Sequence, residues 1–388
     1  MSITQIEAKN FRCLHDVRQS LGAFHILVGP NGSGKTTFFD VLALLGRLVS
    51  SGLESALAER THNLSDLFWR KSGTQFELAI EALIPETQRQ SLAQPFDKIR
   101  YEVTIGTDSV SAETSILSES VFLIGPHLRH LVVSKAKQDQ FHPEVSSKFN
   151  PHTTLSFKFG SQRSALGNLP EDDSQFPVSV WFKHLLTTGI QAFILNSQLM
   201  RQPSPPGQQR GFKPDGSNLP WIIDRLQAFE NYQDWISHLQ TAIEDIEDIY
   251  TIVRPEDRHR YLVIRYRGGL EVPSWMTSDG TLRLLALTLP AYLPDLSGIY
   301  LVEEPENGIH PRAVETLYQS LSSVYDAQVL LATHSPIILS AAKVEEILCF
   351  AKTKEGATNI VSGNQHPNLA HWKGETNLGV LFAGGVLG

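Results

Sequence analysis

The distribution of apolar and polar positions divides the chain into runs of different period. Residues 2 to 28 read as strands: Ile3, Ile6 and Ala8 lead into Asn10-Phe11-Arg12-Cys13-Leu14, and a second extended, largely apolar run covers Phe24 to Val28. The period then changes. Phe38, Leu42, Leu45, Leu48 and Val49 recur at the spacing of one helix face, and Leu53 to Arg60 predicts a second helical piece before the polar turn at Thr61-His62-Asn63. Alternation of the β type returns over Gln75 to Ile84, Ile99 to Ile105 and Ser109 to Ile124. Residues 126 to 174 carry the weakest pattern and end in a polar surface loop, Asn168 to Ser174. Phe176 to Leu186 predicts a helix, Ala192 to Leu195 a short buried strand, and Pro203, Pro205, Pro206 and Gly207 an irregular segment running to Asp215-Gly216-Ser217-Asn218-Leu219.

From Trp221 to Tyr250 the pattern predicts one or two helices. Tyr232, Ile236, Leu239, Ile243, Ile246 and Tyr250 recur at steps of four and three. The stripe is too short for an independent coiled coil and suits a packed helical hairpin or lid. Two strands follow, Tyr250 to Val253 and Arg260 to Arg267, separated by the charged turn Arg254-Pro255-Glu256-Asp257. Arg265 and Arg267 alternate with Ile264 and Tyr266, as on a half-exposed sheet. Leu284 to Ala291 reads as an apolar helix, and Ile299 to Val302 and Ala327 to Ala332 as buried strands.

Composition narrows the class. At 388 residues, with 41% hydrophobic and 19% charged positions, the chain is globular and long enough for one large domain or two ordinary ones. Cys13 and Cys349 are its only cysteines and lack metal-type spacing, which points to a reducing compartment without disulfides. No secretory leader and no apolar stretch of membrane-spanning length is visible, so the expectation is a cytoplasmic protein with no membrane contact. A net charge of −8 argues against a surface that is basic throughout. Arg129, Lys135, Lys137 and Lys148 form a local basic group, readable as a solvated face or as a DNA contact.

The chemistry concentrates in short stretches. Gly29-Pro30-Asn31-Gly32-Ser33-Gly34-Lys35-Thr36 follows a strand and opens a helix, the context of a Walker A phosphate loop. Its glycines let backbone N–H groups turn around a phosphate chain, and the helix N-terminus adds a positive dipole. Asn31, Gly32, Ser33, Gly34, Lys35, Thr36 and Thr37 are thus expected to bind a nucleoside triphosphate, with Lys35 reaching its β/γ-phosphates and the Thr36 hydroxyl on Mg²⁺. Ile299-Tyr300-Leu301-Val302-Glu303-Glu304-Pro305 ends a buried strand in two carboxylates. Glu303 is expected to hold the metal and Glu304 to deprotonate the attacking water. His334 ends the strand Ala327 to Ala332 in Thr333-His334-Ser335-Pro336, where an imidazole can donate to phosphate or to the lytic water. Met276-Thr277-Ser278-Asp279-Gly280-Thr281-Leu282-Arg283 opens a helix with a Ser/Asp/Gly turn, which serves either as a second anion-binding device or as a plain N-cap.

In order, spacing and wording these four elements resemble the ATP-binding-cassette superfamily in its SMC/RecF-like branch, and more narrowly the AAA family ATPases related to overcoming-lysogenization-defect proteins. The resemblance implies an α/β P-loop NTPase head with a flanking antiparallel β-sheet lobe and a small helical signature subdomain. It implies that Ser278, Asp279 and Gly280 are a signature turn offered in trans to the ATP of a second subunit, with Arg283 nearby. It puts Arg12, in Asn10-Phe11-Arg12, near the phosphates, and makes Glu304-Pro305-Glu306-Asn307-Gly308-Ile309-His310-Pro311 the Walker B and D-loop region. The family's Q-loop glutamine has no good match, Gln75 and Gln198 both being poor ones. Asp215 to Leu219 and the closing Leu378-Gly379-Val380-Leu381-Phe382 also look like family segments. The domain organisation implied is an N-terminal ATPase lobe over 1–125, an insertion and lid over 126–270, and a C-terminal lobe over 271–388. Long SMC arms and the TOPRIM nuclease of many relatives are expected to be absent. The function implied is a homodimer, or an oligomer of dimers, that gates a separately encoded nuclease-like effector in anti-phage defence. The alternative is a RecF-like repair ATPase that binds DNA directly.

Overall fold

A computed structural model of the chain describes residues 2–92, 94–135, 139–144, 154–208, 210–294, 296–369 and 377–385. In order the elements are β1 (Ile3–Phe11), β2 (Leu14–Ser20), β3 (Phe24–Val28), α1 (Lys35–Ser51), α2 (Leu53–Ala58), β4 (Gln75–Leu83), α3 (Glu86–Arg89), β5 (Lys98–Thr107) and β6 (Thr114–Ile124). There follow β7 (Arg129–Lys135), β8 (Asp139–Phe141), β9 (Leu155–Phe157), α4 (Pro177–Thr187), β10 (Ile190–Phe193), α5 (Ser197–Arg201), α6 (Leu219–Leu226) and α7 (Asn231–Gln240). The last are β11 (Ile246–Val253), β12 (Arg260–Tyr266), β13 (Leu270–Pro273), α8 (Asp279–Thr288), β14 (Ile299–Glu303), α9 (Pro311–Ser322), β15 (Gln328–Ala332), α10 (Pro336–Ala341), β16 (Ile347–Lys352), β17 (Thr358–Ser362) and α11 (Leu378–Ala383). They form two compact units, each assembled from distant stretches. The first comprises Met1–Ala23, Gly29–Ile190 and Cys349–Val361, the second Phe24–Val28, Gln191–Leu348 and Ser362–Gly388.

The first unit is built on an antiparallel sheet in the order β2-β1-β4-β5-β6-β7-β8-β9. Along β5 buried and half-buried residues alternate, so one face meets the core and the other carries the charged side chains. On that outer face Arg100 pairs with Glu7, Glu81 and Glu102. α1 packs against α2 and α4. Glu119 on β6 lies within the core, and this carboxylate is fully satisfied. It accepts from Tyr101 Oη (3.0 Å), Ser164 Oγ (2.6 Å), and the backbone N–H groups of Ala165 (2.7 Å) and Leu166 (3.1 Å). Those bonds hold the short 3₁₀ turn Leu166–Asn168, which packs on α1. Burial and the nearby carboxylate push the Tyr101 phenol well above its usual pKa, so it remains the donor.

The second unit contains a sheet in which β10, β14, β15 and β3 follow one another, with β14, β15 and β3 parallel. A separate antiparallel sheet holds β11, β12 and β13. Trp235 on α7 is fully buried and donates from Nε1 to Thr288 Oγ1 on α8 at 3.0 Å, while Ser320 Oγ on α9 donates to the Thr288 carbonyl at 2.7 Å. One threonine thus ties three helices.

Several local expectations change. The four-three stripe does not continue as a helix: α7 ends at Gln240, and Ile246 and Tyr250 lie on β11, where they pair with Tyr266 and Val263. A period-two strand can mimic part of a helical stripe when its buried positions fall at matching steps. β10 covers Ile190–Phe193, two residues earlier than expected, with only Phe193 buried and Ile194 beyond it exposed. β6 begins at Thr114, because Asp108 accepts from the N–H groups of Val110 and Ser111 and makes a turn of the preceding residues. β13 has no counterpart in the expected element list. Lys135 is neither solvated nor available to DNA: it is buried and donates to the carbonyls of Gly160 (3.1 Å) and Arg163 (2.7 Å). Arg129 is exposed and stacks on Phe122, whereas Lys137 and Lys148 lie outside the described residues.

Replacing Glu119 by Ala leaves buried donors unpaired, and is expected to lower stability by about 3 kcal/mol. Urea unfolding would measure it, with Glu119→Gln losing less because it keeps an acceptor oxygen.

Candidate active site

In the first unit the loop Gly29 to Gly34 leads into α1. Gly34, the N-cap of α1, has φ +107 and offers no side-chain cap, and the first helical turn carries no carboxylate. Side chains cap some other helices, Ser278 on α8, His310 on α9 and Ser335 on α10, while α2, α3, α4, α6 and α7 share with α1 the lack of a side-chain cap. The α1 terminus therefore keeps its positive end available to an anion. A Cβ at Gly34 would lie 2.3 Å from Thr358 Oγ1 and 3.0 Å from Cys13 Sγ, so only glycine fits there. Thr358 braces the loop from behind, donating from Oγ1 to the Ser33 carbonyl (2.8 Å) and from its N–H to Cys13 O (2.8 Å). Lys35 is buried and its Nζ donates to the carbonyls of Gly29 (2.7 Å) and Pro30 (3.2 Å). Ser33 Oγ is buried without a hydrogen-bond partner. A curled loop, a buried ammonium and an uncapped helix terminus together fit a polyphosphate.

Arg12 lies in the tight β1–β2 turn, with φ +49, in the same unit. Its Nη1 pairs with Asp40 Oδ2 at 3.0 Å, and Arg60 pairs with the other oxygen of Asp40 at 2.6 Å. Asp40 on α1 thus carries two guanidinium groups, a role that sequence reading missed. Its only signal is its position one helical turn beyond Thr36. Thr358 was missed as well, and no local pattern in the sequence marks it.

In the second unit Leu27 pairs with Ala332 and Ala332 with Glu303, so β3, β15 and β14 end in one row. Glu303 closes β14. Glu304 follows with φ +45, a conformation that costs a non-glycine residue about 1–3 kcal/mol. Its N–H donates to Ala332 O (2.8 Å), and its Oε2 accepts from Asn307 Nδ2 (2.5 Å). Thr333 N donates to Leu27 O at 3.2 Å. Glu306 links this row to the histidine: its Oε1 accepts from Thr333 Oγ1 (2.6 Å) and from His334 N (3.2 Å). The His334 ring lies 6.4 Å from Phe382 on α11, which places the closing Leu378 to Phe382 segment beside it.

Ser278 is the N-cap of α8, accepting from Thr281 N at 3.2 Å. A Cβ on Gly280 would lie 2.3 Å from Gly308 O, so the turn and the stretch after Glu304 pack without room for a side chain. Trp275 and Met276, just before it, are 49% and 71% exposed. The Asp215 to Leu219 turn is structural: Asn218 is fully buried, accepting from Lys213 N (2.9 Å) and donating to Gly211 O (2.8 Å). Among the described residues no cluster of His, Cys, Asp or Glu could by itself hold a metal, and no helix is long and apolar enough to cross a membrane.

A family model described as "AAA domain, putative AbiEii toxin, Type IV TA system" matches residues 24–340. The chain belongs to this AAA-domain family. It is an AAA-type ATPase. An OLD nuclease of Thermus scotoductus is 44% identical over 43 residues, a match that covers 11% of this chain and 8% of that nuclease. Similar solved structures are heads of Smc proteins. One, bound to the C-winged helix domain of ScpA, superposes with a TM-score of 0.56 at 15% identity, over 93% of this chain and 98% of that one. A second, with an extended coiled coil and bound to the C-terminal domain of ScpA derived from Pyrococcus furiosus, gives 0.51 at 13% identity, over 92% and 95%. At these identities the likeness speaks for the AAA protein's fold.

Lys35 is a buried ammonium held against the carbonyls of Gly29 and Pro30. Lys35→Ala is expected to weaken ATP binding by roughly a hundredfold or more, the worth of one or two charge-assisted contacts. Titration calorimetry would measure it, with an unchanged melting temperature as the control for folding.

Proposed function

We propose that this ATPase is a nucleotide-gated switch: ATP with Mg²⁺ closes a head-to-head homodimer, and hydrolysis reopens it. Lys35 and the loop N–H groups of Asn31 to Thr37 bind the phosphates, with Arg12 beside them. Thr36 and Glu303 would hold Mg²⁺ through hard oxygen ligands, and the ion when bound would supply charge neutralisation at the phosphates. Glu304 takes the proton of the attacking water, and His334 donates to the charge that develops on the phosphoryl oxygens. What supports this catalytic reading is the row Leu27, Ala332, Glu303. The chain leaves β14 there into Glu304 and leaves β15 into Thr333 and His334, while in sequence β3 runs on into Gly29.

The observation that carries the dimer is the turn Ser278 to Gly280 at the start of α8, flanked by the exposed Trp275 and Met276. Large apolar side chains beside this turn suit a surface that meets a second copy. Because two such turns would each bind a γ-phosphate only when the copies face one another, ATP stabilises the closed state selectively. The local match to an OLD nuclease supports a nuclease-like effector, and the reading extends this to a cytoplasmic anti-phage role. The RecF-like alternative, direct DNA binding, has less to draw on in the arginine-rich β11–β12 hairpin. There Arg254 pairs with Asp257, Arg260 with Asp224 and Arg265 with Glu271.

Glu304→Gln is expected to bind ATP normally, to lower turnover by about 10²- to 10⁴-fold and to accumulate the closed dimer. Parent-like turnover in a steady-state phosphate-release assay would remove Glu304 as the base. Ser278→Arg is expected to abolish ATP-dependent dimerisation in sedimentation velocity while its own site still binds nucleotide. Strong, salt-sensitive DNA binding by the ATP-free protein would favour the RecF-like reading instead.

A further inference from the structure

The turn that opens α8 is gripped from outside its own helix by a single residue. Arg201, the last residue of α5, donates from Nε (3.2 Å) and Nη2 (3.0 Å) to the Thr277 carbonyl. Its Nη2 also meets Asp279 Oδ1 at 2.7 Å. The grip is reciprocal, since Ser274 Oγ, on a fully buried residue, donates to the Arg201 carbonyl at 2.9 Å. These contacts straddle Ser278, one on the residue before it and one on the residue after.

The platform beneath Arg201 is itself fixed. Asn196 caps α5, accepting from Gln198 N (3.0 Å) and Leu199 N (3.3 Å), and Met200 is fully buried. A guanidinium is a planar fork of donors in fixed geometry, so bonds on both sides of Ser278 set the peptide planes there. The ion pair also has an electrostatic consequence. Asp279 stands at the mouth of the helix, 55% exposed on its side chain, where an unpaired carboxylate would repel an approaching phosphate. Arg201 cancels that charge at the place where the helix terminus would otherwise attract an anion.

We propose that Arg201 is the positioning residue of the Thr277–Gly280 turn, holding Ser278 in register and neutralising Asp279 so that the turn accepts the γ-phosphate of ATP held by a second copy of this chain. The assignment rests on the proposed trans role of Ser278. Arg201 and Asp279 are partly exposed, and surface pairs of this kind contribute little to global stability. The effect of losing Arg201 therefore falls on assembly rather than on folding.

The test uses the full chain in the Glu304→Gln background, following ATP/Mg²⁺-dependent dimerisation by sedimentation velocity, ATP affinity under monomeric conditions, and melting temperature. R201A is expected to raise the protein concentration needed for dimerisation roughly tenfold to a hundredfold, the loss of one or two charge-assisted bonds. Monomer ATP affinity and melting temperature should stay near those of the parent. R201K, which keeps the charge and loses the fork, should fall between the two. Adding D279N to R201A should recover part of the loss, which a merely structural role for Arg201 would not produce. Ser278→Arg separates this idea from the one beneath it. If Ser278→Arg dimerises like the parent, the trans reading of the turn is wrong. If Ser278→Arg abolishes dimerisation while R201A stays within about twofold of the parent, the positioning role of Arg201 is overturned. A loss in R201A that D279N does not relieve overturns the neutralising part. Should R201A melt at a much lower temperature, R201K decides, and dimerisation equal to the parent then overturns the assignment.

Discussion

The in-register parallel pairing of β3 with β15 and of β15 with β14 is the constraint on which the placing of Glu303, Glu304 and His334 depends. Parallel neighbours cannot be joined by tight turns, so the strands that align Leu27, Ala332 and Glu303 come from opposite ends of the chain. Their apolar residues are buried, which locks the register, since a slip of one residue would turn every side chain to the other face. Once the register is set, the chain must leave β3, β15 and β14 at the same level. The residues that follow are the phosphate loop, Thr333-His334 and Glu304. Charged side chains thus gather at the carboxyl ends of these parallel strands, where open α/β sheets bind ligands.

The polar side chains around these positions serve geometry as much as charge. Glu304 holds a left-handed backbone conformation that its contacts with Ala332 and Asn307 compensate. Glu306 spends one carboxylate oxygen on Thr333 and the backbone of His334, tying two strand ends together. Arg12, also left-handed, is steadied by Asp40, which simultaneously holds Arg60. In each case a strained or charged residue is over-determined by partners, which is how such conformations persist in folded proteins.

Close approach without side chains is the second recurring device. Gly34 lets Thr358 and Cys13 support the phosphate loop from behind, and Gly280 lets the turn of α8 lie against Gly308. The turn at Ser278 is at once an N-cap and a surface feature gripped by Arg201. The charged face of the large antiparallel sheet, by contrast, is internally balanced around Arg100, and most arginines of the β11–β12 hairpin have carboxylate partners. Neither offers the uncompensated positive field that nucleic acid would seek.

The sequence by itself determined the phosphate loop, the paired carboxylates after a buried strand, the histidine after another, and the helix-opening Ser-Asp-Gly turn. Those features are local, written in consecutive residues whose chemistry and flanking periodicity can be read together. It also determined the long antiparallel strands β4 to β6, where alternation is sustained. What only the tertiary structure decided were partners distant along the chain. Asp40 beneath Arg12, Thr358 behind the loop and Arg201 across Thr277 and Asp279 carry no local signature, because a hydrogen bond between residues far apart leaves no period in either segment. The stripe ending at Ile246 and Tyr250 was decided there too. Spacing alone could not separate a helix face from a strand whose pairing with Tyr266 and Val263 lies on the other side of a turn. Lys135 makes the same point about charge, since its sequence neighbourhood is polar and only folding buries its ammonium among carbonyls.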